Sequence, residues 1–212
     1  DGYGRVAGKP AATLLHLGPG LANGLANLHN ARRASTPLVN IVGDHATYHL
    51  QYDAPLTSDI VGFARPVSSW IHESKSADGV ASDAARAVQA ARSAPGGVST
   101  LILPADTAWN EAQRAEQKLP DLLPTPVSSA AVDAAARLLS NGRKTALLLR
   151  GAALYGAGLE AAGRVQAKTG ARLLCDTFAP HAELGAGRVP VERIPYFAEQ
   201  IVDFLKEIEQ II

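Results

Sequence analysis

Methionine is absent from the 212 residues, even at position 1. At an average usage of about 2%, a chain of this length would carry roughly four. Together with the opening "DGYGRVAGKP", this predicts a chain that begins inside a longer one. Cysteine is almost missing too. Cys175 stands alone, which excludes an internal disulfide and a cysteine-based metal cluster. It reads as a small core residue at a strand end. Net charge is lacking, since 20 Lys and Arg balance 20 Asp and Glu. That argues against a broad attraction to nucleic acid or to an anionic membrane, though not against a local site. No apolar run reaches the roughly 18–20 residues that span a bilayer. The start has no basic-then-apolar order of a secretion signal. A cytoplasmic location fits these absences.

What is present is core material. Hydrophobic residues make up 47% of the chain and charged residues 19%, a globular composition large enough for one big domain or two ordinary ones. Residues 11–17, AATLLHL, form an apolar run between Gly-Lys-Pro and Gly-Pro-Gly and read as a buried strand. Leu21, Leu25 and Leu28 follow at helical spacing, with Arg32 and Arg33 in the last turn, where cations suit the helix dipole. LVNIV (38–42) is the next strand, so a parallel strand–helix–strand unit with a right-handed crossover is expected. RPVSSWI (65–71) offers a short strand, 78–93 a helix, and VSTLIL (98–103) another buried strand. Residues 110–127 turn polar and proline-spaced and read as a linker. Strands and helices then alternate again: a helix in 128–142, a strand in 144–151, a helix in 159–170 and a strand in 171–177. An amphipathic helix is expected over 197–212, and its apolar end, Ile211-Ile212, predicts a cut before a following strand. The fold class is α/β, with two parallel-sheet, three-layer domains over 1–109 and 128–212, both expected to be incomplete.

Ligands of open parallel sheets bind where strands end at the carboxyl edge. Gly18-Pro19-Gly20 follows the first strand there. Two glycines let a flat ring approach the backbone, the proline stiffens the turn, and amides at the helix start can donate. On spacing alone, a tight turn with no ligand explains the stretch at least as well. It is no G-x-G-x-x-G fingerprint and has no Walker lysine. Asn23 could bond a ligand or a local backbone group. Asp44, His45 and His49 cluster after the second strand, where an Asp-His pair suits acid–base chemistry or a loop anchor. His16, inside a strand, reads as a satisfied core histidine. His29 and His181 have no evident ligand partner. Arg150 after a later strand could meet a phosphate or belong to a simple turn. No Ser-His-Asp triad and no metal site stand out.

Taken together, Asp1-Gly2-Tyr3-Gly4-Arg5, Gly8-Lys9-Pro10, Gly18-Pro19-Gly20, Asn23, Pro37 and Gly43 resemble, in order and spacing, the thiamine diphosphate enzymes of the acetolactate synthase type. The likeness covers residues 1 to about 108 well. "KTALLLRGAALYGAG" is a looser match to that family's central domain. The resemblance implies a pyrimidine-binding domain, a Rossmann-like central domain, and a third, diphosphate-binding domain outside this chain. It implies thiamine diphosphate with magnesium, their diphosphate and metal ligands lying elsewhere. It also implies a 2-oxo acid substrate and a homodimer or homotetramer. Gly18, Pro19, Gly20 and Asn23 would then flank the cofactor pocket. The family's activating glutamate is expected shortly before Asp1. Where acetolactate synthases commonly carry Gln after the strand-ending glycine, this chain has Asp44-His45, as related decarboxylases do. Asp44 and His45 are the candidates for contacting substrate, and carboligation and decarboxylation both stay open. FAD remains a minority expectation. The competing functions are a non-catalytic α/β binding or assembly module and an unrelated nucleotide-binding protein.

Overall fold

The computed structural model describes every residue except 114, 116, 117, 121 and 124. The chain forms two compact units, Asp1–Pro124 and Thr125–Ile212. The expected linker, 110–127, lies partly outside the described residues. Within its described part, Gln113 N–H donates to Asp78 and Pro120 O accepts from Gln89 Nε2, so it is attached to the first unit.

The first unit begins with α1 (Gly2–Ala7), followed by β1 (Ala11–His16), α2 (Leu17–Arg33) and β2 (Leu38–Asp44). Then come α3 (Ile60–Ala64), β3 (Trp70–Glu73), α4 (Ala77–Arg92), β4 (Val98–Pro104) and α5 (Ala105–Trp109). The sheet order is β1-β2-β4-β3, and every pair is parallel. The central strands β2 and β4 are buried along most of their length because both faces are covered, and their ends and flanks carry Leu, Val and Ile around a few polar positions. Leu38, Val42, Val98 and Ile102 pack on one face against Leu21 and Leu28 of α2 and Ile60 and Ala64 of α3. Val39 and Leu101 pack on the other against Ala87 and Ala91 of α4. These are the three layers that the sequence predicts.

The opening motif is a structural anchor. Asp1 Oδ2 accepts from Arg5 Nη2 at 2.7 Å, and its Oδ1 accepts from Thr36 Oγ1 at 2.9 Å. A Cβ on Gly4 would lie 2.6 Å from Pro37 O, so only glycine lets α1 sit against the start of β2.

In the second unit, α6 (Ser129–Leu139) precedes β5 (Thr145–Leu149), α7 (Gly156–Thr169) and β6 (Arg172–Cys175). Then come β7 (Glu192–Arg193), α8 (Ala198–Leu205) and β8 (Gln210–Ile211). The order is β7-β6-β5-β8, all parallel. Strand order thus reverses at β5, as in doubly wound folds. Leu154, Ala162, Leu173 and Cys175 centre its core.

Three expectations are corrected. The helix expected over 197–212 stops at Leu205, and 210–211 is a strand. The edge of β5 takes that segment: Glu209 N–H donates to Lys144 O and Ile212 N–H to Ala146 O. The strand expected over 65–71 starts only at Trp70. His16 is exposed rather than a core residue. It shares the open face of edge strand β1 with Ala12 and Leu14, and Leu14 is 76% exposed.

Candidate functional site

The carboxyl edge of the first sheet gathers His16, Asp44, Pro104 and Glu73, the last residues of the four strands. Register places His16 beside Gly43, Asp44 beside Pro104, and Glu73 beside Ile102. The chain leaving this edge after β1 carries Gly18, Pro19, Gly20 and Asn23 in α2, and β2 ends on Asp44, with His45 next.

The first turn is made at Leu17, not at the glycines. Leu17 has φ +57 and is buried, a left-handed conformation that is uncommon for a bulky residue. Gly18, Pro19 and Gly20 therefore already lie in the first turn of α2. A Cβ on Gly18 would collide with the Ser58 side chain and lie 3.5 Å from Phe63 Cε2. The bare backbone of Gly18 thus accommodates Ser58 of the same unit, not an open space. Pro19 is exposed and Gly20 half-buried. Asn23 is exposed one turn along from Pro19, and the i, i+4 spacing puts the two on one strip of α2.

The second turn carries Asp44 and His45. Asp44 Oδ1 accepts from the His45 N–H at 2.7 Å. Burial pushes the Asp44 carboxyl above its ordinary range; the His45 amide and imidazole pull it back, and the Glu73 carboxylate adds to the rise. His45 Nε2 is buried and has no hydrogen-bond partner among the described residues. A buried polar atom without a partner is uncommon and calls for a reason. The His45 ring stands 5.3 Å from that of His49, which stands 5.6 Å from that of Tyr52. His49 and Tyr52 are exposed.

Sequence reasoning missed two contributors. Asp106, in α5, accepts from both the N–H and the Oγ1 of Thr47. Those two donations hold its carboxylate below the usual range. Glu73 reaches Asp44 through space from β3. Asp106 meets Thr47, and Glu73 meets Asp44, only through strand order. Asp83 is a different case: it is 7% exposed, accepts from Ser74 Oγ at 2.9 Å and lies 3.0 Å from His72 Nε2. This triad ties β3 to α4.

The remaining candidates disperse. His29 is exposed on α2. His181 stacks on Tyr155 at 4.7 Å. Arg150 Nε lies 3.7 Å from Asp176 Oδ2. Cys175 ends β6, buried, and that burial raises its thiol pKa. Among the described residues, no group of three or more His, Cys, Asp or Glu side chains is placed to hold a metal ion. Nor, among the described residues, is any helix long and apolar enough to cross a membrane.

Residues 1–64 match the family of thiamine pyrophosphate enzymes through its N-terminal TPP binding domain. A Mycobacterium tuberculosis H37Rv protein named as an acetolactate synthase large subunit, IlvX, is 51% identical over 201 residues. That alignment covers 94% of this chain and 38% of that protein. A benzoylformate decarboxylase of Pseudomonas aeruginosa is 32% identical over 145 residues, 68% of this chain and 28% of that protein. The solved thiamine diphosphate-dependent 4-hydroxybenzoylformate decarboxylase of Rhodococcus jostii RHA1 superposes with a TM-score of 0.82. It does so over 97% of this chain and 40% of that one, at 19% identity, a likeness of fold. The chain therefore spans about two fifths or less of the length of these proteins. Sheet, motif order and relatives together place the chain among the thiamine diphosphate enzymes, as a relative of the acetolactate synthase large subunits.

Proposed function

We propose that this chain forms the pyrimidine-side part of a thiamine diphosphate-dependent enzyme that decarboxylates or joins 2-oxo acids. The observation that carries it is His45 Nε2, buried at the carboxyl edge of a parallel sheet and left without a partner among the described residues. The neighbouring Asp44 is more easily protonated than an ordinary carboxyl. A carboxyl beside an imidazole can hold a proton and deliver it to a substrate oxygen or carbon.

The edge fits one end of the cofactor. Pro19 and Gly20 give a stiff, low-relief surface for a flat ring, and the exposed Asn23 amide can donate or accept beside it. Gly18, having no Cβ, leaves the room beside them that Ser58 takes. The bound cofactor supplies a nucleophilic carbon able to add to a 2-oxo carbonyl so that carbon dioxide can leave. Asp44 and His45 then orient the substrate and move protons at His45 Nε2. Magnesium and diphosphate ligands outside this chain, a homodimer or homotetramer, and a cytoplasmic location belong to the same reading. FAD forms no part of it.

The test is calorimetric titration of the full-length protein with thiamine diphosphate and magnesium, followed by product analysis with pyruvate and benzoylformate. Saturable binding and carbon dioxide release are expected. His45→Ala should lower turnover by about 10²–10⁴-fold, the span of general acid–base catalysis, with cofactor affinity little changed. Unchanged turnover removes His45 from the mechanism. No cofactor binding by the full-length protein would favour the assembly-module alternative.

A further inference from the structure

The turn that carries His45 is held from outside by one carboxylate. Residues 46–53 fold as successive tight turns: His49 N–H donates to Ala46 O at 2.8 Å and Tyr52 N–H to His49 O at 3.1 Å. His45, His49 and Tyr52 stand in series along them. Thr47 lies between the two histidines, and both of its donors leave the turn. Its N–H donates to Asp106 Oδ1 at 2.9 Å and its Oγ1 to Asp106 Oδ2 at 2.6 Å. Asp106 is itself well placed. It follows β4, whose Pro104 pairs with Asp44, and Thr107 Oγ1 donates to Pro104 O at 2.7 Å, fixing the bend between β4 and α5. Two bonds to one ionised acceptor fix direction as well as distance, and charge makes them short.

We propose that Asp106 is a positioning residue, whose carboxylate clamps Thr47 and so holds the His45–His49 turn in register with the sheet edge. This role rests on the reading of His45 as the proton-handling group. The turn's own hydrogen bonds shape it but do not attach it to the sheet. Among the described residues, the other attachments are the β2 backbone at its start, the Asp44 contact to the His45 amide and the buried Ala46 side chain, all at the near side of the turn. None of these fixes the far side, where His49 stands. With the clamp released, His45 would wander from its place, and about 1 Å of misplacement can cost on the order of 10²-fold in rate.

Three variants separate the possibilities. Asp106→Ala removes both acceptors, Thr47→Val removes one donor at nearly constant shape, and Thr47→Ser keeps both donors. Amide hydrogen exchange and histidine ring NMR signals are read on the 212-residue chain, and turnover on the full-length protein. In Asp106→Ala the Thr47 amide should exchange about tenfold faster or more, as expected for a lost hydrogen bond. The His45 and His49 ring signals should shift, kcat should fall by one to two orders of magnitude and KM should stay within about twofold. Thr47→Val should fall between Asp106→Ala and the parent, and Thr47→Ser should behave as the parent. Unchanged exchange and ring signals in Asp106→Ala overturn the clamp, as does damage by Thr47→Ser equal to that by Thr47→Val. A loosened turn with parental kcat overturns the positioning role. A full-length parent that is inactive on 2-oxo acids overturns it too, by removing the reaction, while the exchange data still decide the clamp.

Discussion

Asp44 sits where stability and chemistry pull apart. Its carboxyl is pushed up chiefly by burial, so the folded chain holds the proton more tightly than the unfolded chain does. Its contribution to stability is complete below the unfolded carboxylate range and is lost as pH rises through the folded value. At pH 7 the raised carboxyl is therefore a net burden on folding, and Asp44→Asn should raise the thermal midpoint. Asn retains an oxygen for the His45 amide, so the turn is not disturbed. The gain should shrink as pH falls toward 4, which melting curves at pH 4, 5, 6 and 7 will show. A pH-independent difference would point to packing instead. Gly18 carries a parallel lesson. Its lack of a side chain was legible in the sequence, but what uses the room was not. Ser58 lies 40 positions away and reaches Gly18 only because α3 packs on α2.

At the scale of elements, the first sheet is stitched across its middle by polar side chains. Thr13 Oγ1 donates to Asn40 Oδ1 at 2.9 Å, and Asn40 Nδ2 donates to Thr100 Oγ1 at 3.2 Å. Thr100 Oγ1 in turn lies 2.7 Å from Ser68 Oγ. Thr13, Asn40 and Thr100 are register partners in three adjacent strands, and Asn40 and Thr100 are fully buried. A one-residue slip would bury these groups without partners, so the row fixes the register that sets Asp44 beside Pro104. Asn40→Ala should cost about 1–3 kcal/mol, the penalty for orphaned buried polar groups, measured as a lower denaturation midpoint in urea. A cost near zero would mean that the threonines re-pair. The row is not evident from sequence, where Asn40 interrupts an otherwise apolar run. The strand itself was evident, because a parallel strand covered on both faces must be apolar almost throughout.

For the whole molecule, the two units carry separate reporters. Both tryptophans, Trp70 and Trp109, lie in the first unit, and the single cysteine lies in the core of the second. Burial and the raised thiol pKa should keep Cys175 unreactive toward alkylating reagents in the folded chain. In a urea series, tryptophan fluorescence and Cys175 labelling should give two transitions with different midpoints, since each core closes within its own unit. Coincident transitions would show a single cooperative body. The sequence by itself determined the alternation of strands and helices, the two α/β domains and the motif order of a thiamine diphosphate enzyme. Hydrophobic periodicity and turn residues act over a few neighbouring positions, so they can be read along the chain. The tertiary structure alone decided that Leu17 makes the first bend, that Ser58 fills the space over Gly18, that the last residues pair with β5, and that Asp106 grips Thr47. These depend on which strand ends lie side by side, and crossover topology sets that across tens of residues.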